Sequence, residues 1–61
     1  MTLREDVVIA QYADARLIRL LAINRLGGLT AGQIVERFGV SLATAKRDKR
    51  AMKELIRKYG K

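Results

Sequence analysis

The side chains able to take part in chemistry are concentrated near the C-terminal end of this sequence. Residues 41–61 hold eight lysines and arginines against two acids, a net charge of +6, whereas residues 1–40 hold five against four, a net charge of +1. Such a cluster attracts a polyanion, because a cation that neutralises a phosphate releases a condensed counterion. The asymmetry predicts a polyanionic partner, with nucleic acid as the first candidate and an anionic membrane as the second.

The residue types that support catalysis and metal binding are scarce. The chain contains no cysteine and no histidine, so disulfides, thiolate metal sites and the usual neutral-pH proton carrier are excluded. One serine and six scattered acids, adjacent only at Glu5 and Asp6, provide no positioned nucleophile and base. We therefore expect a binding protein rather than an enzyme, with no metal and no cofactor.

No segment of the sequence has the pattern of a secretory signal or a membrane span. The most apolar region, residues 17–26, is interrupted by Arg19, Asn24 and Arg25 and is too short to cross a bilayer. The absence of cysteine also fits a reducing compartment. We expect a cytoplasmic, nucleoid-associated protein with no membrane partner.

Glycines divide the chain into segments with helical spacing, and no segment alternates as a half-buried strand would. The first predicted helix covers residues 14–26. Two alternatives add helical structure before it: either this helix begins as early as residue 4, or a short extra helical segment precedes it. Its apolar stripe, closed by a polar residue, follows the i, i+3, i+4, i+7 rule at Leu17, Leu20, Leu21 and Asn24. Gly27 and Gly28 end this helix.

Two further helices are predicted over residues 30–38 and 41–59. Thr30 is a candidate N-cap with Gln33 completing a capping box, and Ser41 is a candidate N-cap for the last helix. The sequence therefore predicts a single all-α domain over residues 1–61 built on three helices. Residues 1–26 form its N-terminal and dimerisation part.

The last two predicted helices and the turn between them have the features of a helix-turn-helix DNA-binding motif. Gly39 tolerates the positive φ that the turn needs, and Val40 fills the angle between the helices. Small and polar residues then allow the recognition helix to approach the major groove. The predicted DNA-contacting residues are Gln33, Ser41, Leu42, Ala43, Thr44, Lys46, Arg47, Arg50 and Lys53.

Residues 30–48 resemble the helix-turn-helix of the DeoR-type bacterial regulators. The match is densest in Phe38-Gly39-Val40-Ser41 and in Thr44-Ala45-Lys46-Arg47-Asp48, and the resemblance extends over about residues 14–52. It implies a trihelical domain that reads duplex DNA with the helix beginning at Ser41. It also implies a role in transcriptional regulation.

Three departures from the DeoR-type pattern limit what the resemblance implies. Ala45 stands where the family has a larger aliphatic residue, and Lys49 stands where it has leucine. The 61 residues also leave no room for the β-hairpin wing and the effector domain that follow in such repressors. We therefore predict no small-molecule effector site, and either a minimal regulator of phage or plasmid type or a fragment.

Several of these residues have a second interpretation. The basic residues also suit the solvated face of a surface helix, but the turn ahead of them favours DNA contact. Leu42 either reads a thymine methyl group or packs on the preceding helix, and Gln33 either caps or touches a phosphate. Asp48 is expected to hold a neighbouring arginine or a backbone amide rather than a metal or a substrate.

The N-terminal half carries more apolar side chains than a single three-helix core is expected to cover. We therefore predict a homodimer that places two recognition helices on a palindromic site, and repression rather than activation as its effect. The predicted dimer interface comprises Val7, Val8, Ile18, Leu21 and Ile23. The alternatives are a basic amphipathic protein of the membrane surface and an architectural or partition DNA-binding protein.

Overall fold

The structure, a computed structural model, describes residues 3–60 and contains four helices. They are α1 (Glu5–Gln11), α2 (Ala15–Arg25), α3 (Ala31–Phe38) and α4 (Leu42–Tyr59). Residues 3–60 contain no strand, so the predicted all-α class is confirmed. The extra N-terminal segment is a separate helix. Lys61, counted above among the cations, lies outside the described residues.

The N-terminal half breaks into two helices between residues 12 and 14. Tyr12 is extended, with φ −137° and ψ 141°, and therefore ends α1. Asp14 begins α2 by capping it, since its carboxylate accepts a hydrogen bond from the Arg16 N–H at 2.9 Å. A continuous helix from residue 4 is thus ruled out, while the predicted start near residue 14 is confirmed.

Gly27 and Gly28 end α2 as predicted. Both have positive φ, at 76° and 123°, which a residue with a Cβ rarely adopts. The Gly28 N–H donates to the Ile23 carbonyl at 2.9 Å, and the Gly27 N–H donates to the Asn24 carbonyl at 3.2 Å. This pair of bonds is the Schellman arrangement, which satisfies carbonyls left open at a helix end.

The core draws on all four helices. α1 packs on α2, and α4 packs on both α2 and α3. The buried apolar side chains are those of Leu3, Val8, Leu20, Ile23, Ile34, Ala45, Met52 and Leu55. None of the helices in the described part of the chain is long and apolar enough to span a membrane.

A buried asparagine fastens the N-terminal segment to α2. The Leu3 N–H donates to Asn24 Oδ1 at 2.6 Å, and Asn24 Nδ2 donates to the Leu3 carbonyl at 2.8 Å. The Asn24 amide thereby satisfies both polar groups of a buried backbone unit, as a neighbouring strand would. The polar residue that closes the apolar stripe of α2 is therefore a structural clamp.

Two of the predicted dimer-interface residues lie in the core of the single chain. Val8 has no exposed surface and Ile23 is 4% exposed, so neither is available to a second copy. Their assignment to a dimer interface is wrong, because both side chains are covered within the core of the single chain. Val7 and Leu21 are half-buried against the same core, and Ile18 is 66% exposed.

Candidate nucleic-acid interface

The start of α3 is held by the predicted capping box. Gln33 N–H donates to Thr30 Oγ1 at 3.1 Å, and Thr30 N–H donates to Gln33 Oε1 at 2.9 Å. The capping role of Gln33 is confirmed, while its side chain remains exposed at the N-terminus of α3. A contact between its amide nitrogen and a phosphate stays a prediction.

The turn between α3 and α4 has the geometry that the sequence predicts. Gly39 is left-handed, with φ 66° and ψ 30°, and its N–H donates to the Val35 carbonyl at 2.9 Å. Val40 is half-buried and packs against the core. The turn therefore sets the direction of α4 through one conformation that favours glycine and one anchored apolar side chain.

Two hydroxyl side chains hold the first turn of α4. Ser41 Oγ accepts a hydrogen bond from the Thr44 N–H at 3.1 Å and donates its own proton to Thr44 Oγ1 at 3.0 Å. The capping role predicted for Ser41 is confirmed. The exposed N-terminus of α4 presents the positive end of its dipole to solvent, which suits an approaching anion.

The side chains that open α4 are accessible. Ala43 is exposed and Leu42 is 52% exposed, whereas Thr44 is half-buried. Of the two roles left open for Leu42, contact with an external partner fits this exposure, because about half of its surface is uncovered. Its small neighbour Ala43 allows the backbone to approach another surface closely.

The remainder of α4 has two chemically different faces. The face toward the fold carries the buried side chains of Ala45, Asp48, Met52 and Leu55. Two of the nine exposed side chains here are Glu54 and Tyr59, and the other seven are cationic, namely Lys46, Arg47, Lys49, Arg50, Lys53, Arg57 and Lys58. Ala45 has no exposed surface, so the small residue that departs from the DeoR-type pattern occupies a position in the core.

Four of the predicted DNA contacts form a coherent patch, which we call the basic row. Lys46, Arg50 and Lys53 follow one another at i, i+4 and i+7, and Arg47 precedes Arg50 by three residues. At 100° per residue these four side chains fall within an arc of about 120°. A patch of this shape can face a single polyanionic surface.

The basic row is electrostatically open. Within residues 3–60, none of its four side chains is paired with a carboxylate. Farther along α4, Arg57 Nη2 donates to Glu54 Oε2 at 2.8 Å. This hydrogen bond lowers the pKa of Glu54 and raises the pKa of Arg57. Arg57 is thus partly neutralised, and most of the unpaired cations of α4 lie between residues 46 and 53.

Asp48, on the opposite face of α4, holds two arginines of α2. Its carboxylate has no exposed surface and accepts from Arg19 Nε at 2.5 Å and from Arg19 Nη2 at 3.4 Å. Arg16 Nε lies 4.0 Å from the same carboxylate, and its guanidinium stands over the Tyr12 ring at 5.6 Å. Of the two partners predicted for Asp48, a neighbouring arginine or a backbone amide, the structure has arginines, but they come from α2 rather than from the adjacent basic residues.

Lys49 is a functional candidate that the sequence reasoning missed. It is exposed, and it lines a groove together with Arg50 and Lys53. The available signal was the departure from the DeoR-type pattern: a lysine where that family has leucine indicates a position open to solvent. Among residues 3–60, no group of three or more acidic side chains is placed to hold a metal ion.

Comparison with known proteins identifies no relative. No family model matches the chain, and neither a curated protein nor a solved structure is significantly similar to it. The geometry of the site itself therefore carries the functional argument.

Proposed function

We propose that this chain is a sequence-specific duplex DNA-binding protein and that α3 and α4 form its helix-turn-helix. In this proposal α4 is the recognition helix, as in the DeoR-type domains that residues 30–48 resemble. The observation that carries the proposal is the pairing of a glycine turn with a basic row that begins one turn into α4 and faces away from the core. Binding, rather than catalysis, is the function that these residue types support.

The dimensions of α4 suit the major groove. Its 18 residues extend over roughly 27 Å, and its exposed first turn carries the small Ala43 beside Leu42. In such a complex Arg47 and Arg50 would contact guanine edges, while Lys46 and Lys53, which share one edge of the basic row, would contact phosphates.

A membrane surface is a poorer partner for α4. A helix that lies in a bilayer interface needs an apolar face to insert. The apolar face of α4 is instead occupied by the fold, since Ala45, Met52 and Leu55 are all buried. The accessible face offers cations, which suit a phosphate backbone.

We further propose that the protein binds as a homodimer and represses transcription by occupying a promoter. Three large apolar side chains of the N-terminal half remain exposed after folding, namely Ile9, Ile18 and Leu26. A symmetric contact through Ile18 would bury part of this surface. Two recognition helices separated by about 34 Å would then match two half-sites of a palindrome.

Selection from a random pool of duplex oligonucleotides tests DNA binding and gives the site, its symmetry and its half-site spacing. On the selected site, Arg47→Ala and Arg50→Ala should each weaken binding by about 1–3 kcal/mol and relax the preference at one base pair. Arg25→Ala, which removes the same charge from α2, is the matched control. Equal binding by all three variants and the parent would place the recognition face elsewhere.

A second measurement separates DNA from a membrane surface and from architectural binding. The parent should retain a preferred sequence at physiological salt, while vesicles with anionic headgroups should capture little of it. Capture by vesicles together with DNA binding that lacks any sequence preference would contradict the proposal. DNA binding without preference, and without vesicle capture, would favour an architectural or partition role.

The homodimer is tested by Ile18→Asp. This change places a charge in the proposed contact without touching the core, so it should reduce both dimerisation and DNA affinity while the helices persist. Ala13→Asp adds the same charge to the exposed segment between α1 and α2 and serves as the control. Sedimentation equilibrium decides, because a parent that is monomeric at tens of micromolar and still binds with full affinity excludes the dimer.

A further inference from the structure

A second surface of the molecule lies beside the basic row. It is a groove of about 580 Å³ between the C-terminal end of α2, the loop that follows it, and residues 49–56 of α4. We call it the α2–α4 groove. Its volume falls within the range of about 300–1,000 Å³ that is usual for ligand pockets, but the groove is open along its length.

The floor and the rim of the α2–α4 groove differ in chemistry. The floor is apolar and is formed by Ile23, Leu29, Met52 and Ile56. Leu29 and Ile56 are half-buried, so part of their apolar surface still faces the groove. The rim is formed by the exposed cations Lys49, Arg50 and Lys53, none of which is paired with a carboxylate among residues 3–60.

An apolar floor with a cationic rim fits neither a DNA backbone nor a second copy of this chain. A DNA backbone would use the cations of the rim but would gain nothing from an apolar floor, since its outer surface is phosphate and sugar. A second copy of this chain has the wrong charge, because its net charge is +7. Four of its six acids are also engaged within the chain, since Glu5, Asp6 and Glu54 pair with arginines and Asp48 is buried.

We propose that the α2–α4 groove binds an acidic amphipathic helix of another protein. Apolar side chains at i, i+3, i+4 and i+7 of that helix would cover Leu29 and Ile56 on the floor. Carboxylates flanking the apolar stripe would meet the three cations of the rim. Charge complementarity of this kind speeds encounter and fixes the register of the bound segment.

Two rim residues also belong to the basic row, which couples the two surfaces. Arg50 and Lys53 cannot contact a DNA phosphate or base and a partner carboxylate at the same time. The acidic helix would therefore compete with DNA for this protein. Binding of the helix itself does not require the proposed DNA-binding function, and it can be measured with no DNA present.

The probe is a synthetic 14-residue peptide with leucine at i, i+3, i+4 and i+7 and glutamate at most other positions. Its control is a scrambled peptide of the same composition, which has the same charge but no continuous apolar face. We expect the amphipathic peptide to bind the parent at least about tenfold more tightly by fluorescence anisotropy. In amide NMR spectra it should shift Leu29 and Ile56 more than residues of α3.

Charge-reversal variants of exposed lysines locate the contact. Lys49→Glu reverses one charge on the rim of the groove, and Lys58→Glu reverses one charge of α4 outside the groove. Lys49→Glu should weaken binding of the amphipathic peptide by about tenfold, whereas Lys58→Glu should change it far less. Both variants should keep the helical circular dichroism of the parent, since both side chains are exposed.

Three results would overturn this proposal. The scrambled peptide binding as tightly as the amphipathic one would reduce the interaction to charge attraction alone. Equal weakening by Lys49→Glu and Lys58→Glu would place the peptide outside the groove. Perturbation of Leu29 and Ile56 by duplex DNA but not by the amphipathic peptide would assign the groove to the DNA surface.

Discussion

The arginines of α2 and the cations of α4 belong to the same small domain but are used in opposite ways. Every arginine of α2 faces a carboxylate: Arg16 and Arg19 face Asp48, and Arg25 faces Glu5. The basic row of α4 faces no carboxylate within residues 3–60. The three arginines of α2 are therefore balanced in part by two carboxylates of the same chain, whereas the charge of the basic row is open to solvent.

The contrast shows how a chain with so many cations can still fold tightly. Asp48 lies on α4 among lysines and arginines, yet its carboxylate points into the fold and draws α2 toward α4. Because attraction between charges strengthens away from water, one buried carboxylate can orient two helices. At the surface, the Arg25 hydrogen bond lowers the pKa of Glu5, but that pair is exposed and weakly coupled to the fold.

Replacement of Asp48 by asparagine should have the largest effect on stability. The change leaves the guanidinium of Arg19, only 14% exposed, without its counter-charge. Removing one partner of a buried pair typically costs about 3–5 kcal/mol, so we expect a loss near the lower end of that range in urea unfolding. Glu54→Gln, which breaks an exposed pair on the same helix, should leave the unfolding midpoint nearly unchanged.

A paired replacement keeps this prediction testable if Asp48→Asn fails to fold. Arg19→Met combined with Asp48→Leu removes both charges and fills the space with apolar side chains. Such replacements are often neutral or stabilising, so the double variant should recover most of the lost stability. An Asp48→Asn variant as stable as the parent would contradict the structural role assigned to the pair.

Asn24→Ala should have the next largest effect. It leaves the buried Leu3 N–H and C=O without partners, and an unsatisfied buried group costs about 1–3 kcal/mol. We expect a loss of about 2 kcal/mol in the free energy of unfolding and faster hydrogen exchange at Leu3. Slow exchange retained at Leu3 in this variant would show that the Asn24 clamp is not what holds the segment.

A matched pair of glycine substitutions tests the turn between α3 and α4, which orients the basic row. Gly39→Ala forces a Cβ into a left-handed conformation and should cost about 1 kcal/mol. Gly32→Ala lies within α3, where the new Cβ would meet only Thr30 Oγ1 at 3.9 Å, and should stabilise by about 0.5 kcal/mol. Thermal unfolding measures both changes in stability. If the two variants changed stability in the same direction, the left-handed conformation assigned to the Gly39 turn would be contradicted.

Substitutions in the exposed basic row of α4 should have the smallest effect on stability. Lys46→Ala and Lys53→Ala remove side chains that pair with no carboxylate in the described part of the chain, so stability should change by less than about 0.5 kcal/mol. Their effect should appear instead in DNA binding, as a salt slope reduced by about one unit for each lysine. A large loss of stability in either variant would show that the row also supports the fold.

Features of the fold that depend on neighbouring residues were predictable from the sequence. The Thr30–Gln33 capping box, the Ser41 cap and the left-handed Gly39 all involve partners within four residues. Hydrogen bonds of this range form wherever the chain turns into a helix, whatever surrounds it. The exposed row on α4 followed from the same local rule, since charges too dense to bury must face solvent.

Features that depend on distant residues were not predictable in the same way. The Asp48–Arg19 pair joins positions 29 residues apart, and the Asn24–Leu3 clamp joins positions 21 residues apart. Spacing along one helix carries no information about which side chain of another helix will lie opposite. The sequence indicated that Asp48 would meet a neighbouring arginine or a backbone amide, but the choice of the α2 arginines came from the packing.

The apolar surplus of the N-terminal half shows most clearly what the sequence determines and what the tertiary structure decides. Hydrophobic periodicity by itself determined that residues 7–26 had to cover an apolar surface, because such side chains are excluded from water whatever the fold. Which atoms cover it was decided only by the tertiary structure. A break at Tyr12 separates α1 from α2 and lets the two helices pack together. Val8 and Ile23 are buried in the core of the single chain, whereas Ile18 stays exposed.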